Sequence, residues 1–241
     1  MECYLSQCFK ILCVFLMMSS KLSFAMDDAQ LRQIVKNAVS VVDGVEPGYS
    51  EELAFTVTTK SRGKVFVESF NPQNSPETKW ELTLIDQRKP TEIDLRAYRY
   101  NKSEEMKKIV AGQAEKKHWL AWFIDFNTLK LLHEDADEMR VGFAPLYKDV
   151  DKIEQNKLTG QLVVSKKGPY VRSVEIINSV PVTPNFLTKV TETKTEYVFQ
   201  QLKDGRYALQ RGAYSGKGRI VFFEFDETTS QEYSDYSYVG K

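Results

Sequence analysis

The sequence predicts an α+β fold that is mostly β, a meandering antiparallel sheet of about eleven strands with two or three helices packed against it. Short runs of alternating apolar and polar residues recur along most of the chain. Neighbouring runs are joined by short turns, which fold each strand back beside its predecessor and leave no room for the long crossovers that a parallel sheet needs. One early segment instead places apolar residues at three- and four-residue steps, the period of a helix.

Residues 1–25 divide into a polar start ending at Lys10, an unbroken apolar run from Ile11 to Met18, and Ser23-Phe24-Ala25. This is the pattern of a secretory signal peptide cleaved near Met26, and the apolar run is far shorter than the roughly 20 residues that cross a bilayer. The expectation is therefore a periplasmic chain of a single domain over 26–241, with no transmembrane segment in the mature part. Cys3, Cys8 and Cys13 all lie inside the leader, so counting excludes a disulfide framework and cysteine ligation of a metal in the remainder.

The helix is expected where Leu31, Ile34, Val35, Ala38, Val41 and Val42 recur, with Asp27 or Asp28 as its cap and Gly44 as its stop. Its one-sided stripe must pack on something larger. Strands follow. Leu53, Phe55 and Val57 alternate with polar positions, Ser61-Arg62-Gly63 turns into Val65 to Phe70, and after Pro72 and Pro76 the residues Trp80, Leu82 and Leu84 alternate again.

The middle is less uniform. Residues 90–100 carry mixed signals, and Ser103 to Lys117 reads as a charged helix capped by Ser103 and burying Met106, Ile109 and Val110. Trp119, Trp122, Phe123 and Phe126 fall at helical spacing and would share one stripe. A hairpin of Leu129 to His133 against Met139 to Phe143 follows, with acidic residues around its turn.

The second half repeats the strand pattern with Leu158 to Ser165, the turn at Lys166 to Pro169, and Tyr170 to Ile177. Thr193 to Leu202 turns at Asp204-Gly205 into Tyr207 to Ala213. Gly216 and Gly218 are expected to bracket a turn into Ile220 to Phe225, and Glu232 to Val239 closes the chain.

Composition narrows the function. The chain has 33 basic and 33 acidic residues, and loss of the leader with Lys10, Lys21 and Glu2 leaves an excess of one acid. This balance predicts no nucleic-acid partner and no footprint for anionic lipid. His118 and His133 are too few and too far apart for a metal centre, and Glu134, Asp135, Asp137 and Glu138 lack the spacing and glycine of a calcium loop. The run Gly212 to Gly216 has the wrong spacing for a serine nucleophile elbow, and Gly216-Lys217-Gly218 lacks the spacer of a phosphate loop. The sequence thus points to no enzyme, no cofactor and no metal.

What remains is aromatic surface on strands. An antiparallel sheet of this many strands curls, and its concave face must be covered by helices or by a ligand. The candidate lining of that hollow is Phe55, Trp80, Leu82, Tyr197, Phe199 and Phe223 from the strands, with Trp119, Trp122 and Phe123 from the helical excursion. For any single ring, the plainer expectation is that it belongs to the core.

The order of features also carries a resemblance. A signal peptide, an amphipathic helix, a three-stranded meander ending at Trp80, a helical excursion and a long run of hairpins ending in Tyr233-Ser234-Asp235-Tyr236-Ser237-Tyr238 resemble the periplasmic lipoprotein-carrier-like (LolA-like) superfamily. The likeness extends over most of residues 28–239. It implies an incomplete antiparallel barrel wrapped around helices, and a binding or carrier protein holding a lipid, a lipoprotein acyl chain or another apolar ligand in the hollow. Other relatives sense or regulate envelope stress, so the alternative is a non-enzymatic module that docks an envelope protein and has a fully packed core.

Overall fold

The computed structural model describes residues 26–43, 52–112, 119–147 and 152–240. The expected leader, Gly44 and His118 lie outside the described residues, as do the side chains of Met106, Ile109, Val110 and Trp119.

Helix α1 (Asp28–Val42) begins where Asp27 accepts a hydrogen bond from the Gln30 N–H at 2.7 Å. It buries the stripe Leu31, Val35, Ala38, Val39 and Val42. The strands β1 (Leu53–Ser61), β2 (Lys64–Phe70) and β3 (Trp80–Ile85) precede the helices α2 (Glu92–Gly112) and α3 (Trp119–Trp122). Then come β4 (Ile124–Glu134), β5 (Glu138–Pro145), α4 (Lys152–Gln155), β6 (Leu158–Ser165), β7 (Val171–Asn178), β8 (Val182–Asn185), β9 (Thr188–Gln201), β10 (Tyr207–Ile220) and β11 (Phe223–Tyr238).

These form one 11-stranded sheet in the order β3-β2-β1-β11-β10-β9-β7-β6-β5-β4, with β8 paired to β9. Every pairing is antiparallel. The first strand lies against the last, β3 and β4 remain as edges, and the sheet is an open half-barrel.

Two apolar clusters fill its concave side. In the larger one, α1 and Leu120 pack on Val141, Phe143, Leu162, Val164, Val174, Phe199 and Leu209 from β5, β6, β7, β9 and β10. The smaller one gathers Phe55, Val57 and Phe70 with Trp80, Tyr233 and Tyr236. Tyr233 and Tyr236 are three residues apart, yet both face inward. Asp235 takes a left-handed conformation (φ 54°) where the β1–β11 register shifts, and this bulge turns the second tyrosine back to the core.

Several local expectations change. Helix α2 starts well before Ser103, because Thr91 and Asp94 form a reciprocal cap: the Thr91 N–H donates to the Asp94 carboxylate at 2.8 Å and the Asp94 N–H to Thr91 Oγ1 at 3.3 Å. Only residues 119–122 of the expected aromatic stripe are helical, since Phe123 follows the helix and Phe126 lies in β4. The run Gly212 to Gly218 is not a turn but the middle of the long strand β10. There the lack of a Cβ at Gly216 and Gly218 leaves room for the Tyr214 hydroxyl and for the Lys189 carbonyl with the Phe225 ring. The hairpin at Asp204-Gly205 has a three-residue loop, with the Gly205 N–H donating to the Leu202 carbonyl and Gly205 at φ 87°.

Candidate functional site

The part of the concave face that α1 leaves open is a hollow of about 270 Å³ over β7, β9, β10 and β11. Its floor follows the sheet register. Ile176 lies across from Thr195, Thr195 from Tyr214, and Tyr214 from Thr229; one row on, Tyr197 faces Gly212 and Gly212 faces Gln231. The roof is Phe123, just past α3, and Tyr147, whose rings pack 5.4 Å apart.

Each wall has a local cause. Phe123 is held by its N–H to the Leu120 carbonyl and by its own carbonyl, which accepts from the Leu146 N–H at 2.9 Å. That second bond fixes the segment carrying Tyr147 beneath it. The floor is deep at Gly212 because no side chain rises there; an added Cβ would touch the Tyr197 ring at 3.7 Å, an ordinary contact.

Among the described residues, no charged side chain lines the hollow. Burial, and behind it the neighbouring Tyr197 and Tyr214, pushes the Tyr147 phenol up to about 12, so it stays neutral. Polar groups gather on the β11 side. Gln231 Oε1 accepts from the Tyr233 hydroxyl at 3.1 Å, Thr229 Oγ1 lies 2.9 Å from Ser61 Oγ, and Thr59 Oγ1, on the strand position opposite Gln231, is buried with no hydrogen-bond partner. The lining thus combines the rings of Phe123, Tyr147, Tyr197 and Tyr214 with the polar side chains of Thr195, Thr229 and Gln231. It suits a neutral, largely apolar molecule with one polar end.

Among the described side chains, Phe123 and Tyr197 are the sequence-derived candidates that line the hollow. Phe55 and Leu82 are buried, and Trp80 packs on Phe55 and Phe70 in the smaller cluster. Phe199 is part of the larger core, Trp122 is exposed, and Phe223 sits at the far tip of the β10–β11 hairpin. Tyr147 and Tyr214, which sequence reasoning passed over, complete the lining. Tyr214 was hidden because Gly212 to Gly216 read as a turn, and Tyr147 because it belongs to no periodic run.

Among the described residues, no group of three His, Cys, Asp or Glu side chains could hold a metal ion. The acidic residues 134–138 form the β4–β5 turn, where Asp135 Oδ1 accepts from the N–H groups of Asp137 and Glu138, and Lys166 and Lys167 pair with Glu134 and Asp137. Among the described residues, no helix is long and apolar enough to cross a membrane.

No protein-family profile matches the sequence, and no curated protein matches it. Among solved structures, the crystal structure of a Vibrio parahaemolyticus domain named for outer membrane lipoprotein sorting is similar to this chain, with 8% identity and a TM-score of 0.37. The match covers 88% of this chain and 94% of that one.

Proposed function

We infer that this chain is a non-catalytic binding protein that shields one narrow apolar ligand, such as a single acyl chain, in the hollow beneath Phe123 and Tyr147. The observation that supports this most is an aromatic depression, without a charged side chain among the described residues, left open on a concave face otherwise filled by α1 and the two apolar clusters. Its size lies just under the ~300–1,000 Å³ of common ligand pockets, which favours one chain over a multiply acylated lipid. Each methylene taken from water contributes about 0.8 kcal/mol. Thr195, Thr229 and Gln231 offer hydrogen bonds to a polar end. In this reading the N-terminal segment directs export to the periplasm, and residues 26–241 act as one unit. Titration with a fluorescent fatty acid tests it: saturable uptake that weakens in Tyr214→Ala is expected, and absence of uptake by the wild type contradicts it.

The second reading is an interaction module with a closed interior, favoured by the complete burial of Val35, Ala38 and Val42 in the larger core. Under it, Trp122→Ala alters capture of an envelope protein while fatty-acid uptake is absent from the start.

A further inference from the structure

Among the described residues, a group of exposed apolar side chains that includes the three most exposed, Phe186, Phe222 and Phe223, lies at one end of the sheet, outside the lining of the hollow. Phe186 and Leu187 occupy the β8–β9 turn, and Ile220, Val221, Phe222 and Phe223 the β10–β11 turn. Phe186 and Phe222 are each 92% exposed and Phe223 79%. The Val221 N–H donates to the Leu187 carbonyl at 2.7 Å, and Ile220 lies opposite Thr188 in the β9–β10 ladder. The two turns thus make a single projecting tip.

This tip is costly in the folded state. Ile220 pairs with Phe223, so Val221-Phe222 is a two-residue hairpin loop, a position where Asn-Gly is preferred. Val221 instead takes φ 57°, a strained choice for a β-branched residue. The apolar side chains of both turns are exposed together, from Phe186 and Leu187 on one to Ile220, Val221, Phe222 and Phe223 on the other. A protein partner would cover one side of such a tip, whereas an apolar medium surrounds it.

Charge sits directly behind. Lys189 lies across from Arg219 in the β9–β10 ladder and Glu224 across from Arg219 in the β10–β11 ladder, all three exposed, and among the described residues neither cation has a carboxylate within ion-pair distance. Like charges facing each other disfavour the pairing unless an anion sits between them. The same two residues line a depression of about 600 Å³ at the base of the tip together with Lys217, Glu224 and Asp226, where Lys217 is already paired with Asp226 and Glu192. The chain's overall charge balance conceals this local pair.

We propose that the tip is a membrane-docking element for bilayers with anionic headgroups: Phe186, Phe222 and Phe223 enter the interface while Lys189 and Arg219 meet the lipid phosphates. Aromatic rings capping a basic pair match the layered polarity of a bilayer surface. The proposal rests on the tip and not on the hollow.

Flotation of the purified protein with vesicles of phosphatidylcholine, with and without phosphatidylglycerol, tests it. Wild type is expected to float best with phosphatidylglycerol. Replacing Phe186, Phe222 and Phe223 by Ser should lower partitioning about tenfold per residue, with an unchanged thermal unfolding curve because all three are exposed. Lys189→Gln with Arg219→Gln should lose about fivefold per charge on the anionic vesicles and nothing on the neutral ones. Gly212→Leu, which fills the hollow, should float like the wild type. Flotation equal in the triple variant and the wild type overturns the proposal, as does a wild type that binds neither vesicle. Self-association that the triple variant disperses, without vesicle binding, assigns the tip to a second copy of the chain instead and likewise overturns it.

Discussion

The carboxylate of Asp43, buried at the end of α1, accepts hydrogen bonds from the N–H of Leu120 at 2.7 Å and of Ala121 at 3.2 Å. A group at the end of α1 thereby caps the first turn of α3 and ties the core helix to the segment that continues into Phe123. Asp43→Ala leaves two N–H groups without this acceptor, at a cost of about 1–3 kcal/mol. Asp43→Asn, which keeps an acceptor oxygen, should cost less. Urea unfolding of both variants checks this ordering, and equal losses would contradict it.

The other arm of the sheet is held by α2. Glu68, nearly buried on β2, accepts from the Tyr98 hydroxyl at 2.7 Å and pairs with Lys102 Nζ at 3.1 Å, while the same ammonium lies 4.2 Å from the centre of the Trp80 ring. Lys102→Ala strips Glu68 of its counter-charge. Breaking a fully buried pair costs ~3–5 kcal/mol; here about 2 kcal/mol is expected, because Lys102 remains one-fifth exposed. Lys102→Ala combined with Glu68→Gln should recover much of that loss. Thermal unfolding of the single and double variants decides it, and additive losses would refute the coupling.

Gly160 of β6 faces Phe143 of β5, and a Cβ there would lie 2.2 Å from the Phe143 ring. The ring is buried, so it cannot swing into solvent. Gly160→Ala is expected to destabilise by about 1–3 kcal/mol through overpacking, and Phe143→Leu in the same chain to relieve part of it. A double-mutant cycle in denaturant measures the relief, whose absence would mean that the strand shifts instead.

Alkaline pH should loosen the fold. The Tyr147 phenol is pushed from its ordinary value of 10.0 to about 12, and burial raises Tyr236, whose hydroxyl donates to the Leu209 carbonyl at 2.6 Å. The unfolded chain releases these protons first. Their stabilisation is therefore complete below pH 10.0 and declines as pH rises toward the folded value of about 12. Tyr147→Phe should flatten part of that decline with little change at neutral pH. A decline just as steep in both Tyr147→Phe and Tyr236→Phe would assign it to other groups.

The sheet was legible because its signal is local. Alternation in Leu53 to Val57, the Arg62-Gly63 turn and the run Leu158 to Ser165 fixed strands whose neighbours follow from short connections. The pairing of β1 with β11 was not, since it joins Thr56 to Ser234 across nearly the whole chain. Helix α2 was misplaced because its start is set by the Thr91–Asp94 cap and not by an apolar stripe. The hollow was the least legible feature. Whether an aromatic ring on a strand becomes core or lining depends on where α1 stops covering the sheet, which separates Phe199 from Tyr197 although both point inward.

Native mass spectrometry of the gently purified wild type beside Gly212→Leu tests the central claim most directly, because the leucine side chain fills the floor of the hollow without opening the core. The wild type is expected to carry a small co-purified apolar molecule that Gly212→Leu lacks, with both proteins equally folded. A wild type of bare polypeptide mass that also takes up no added fatty acid would contradict the account.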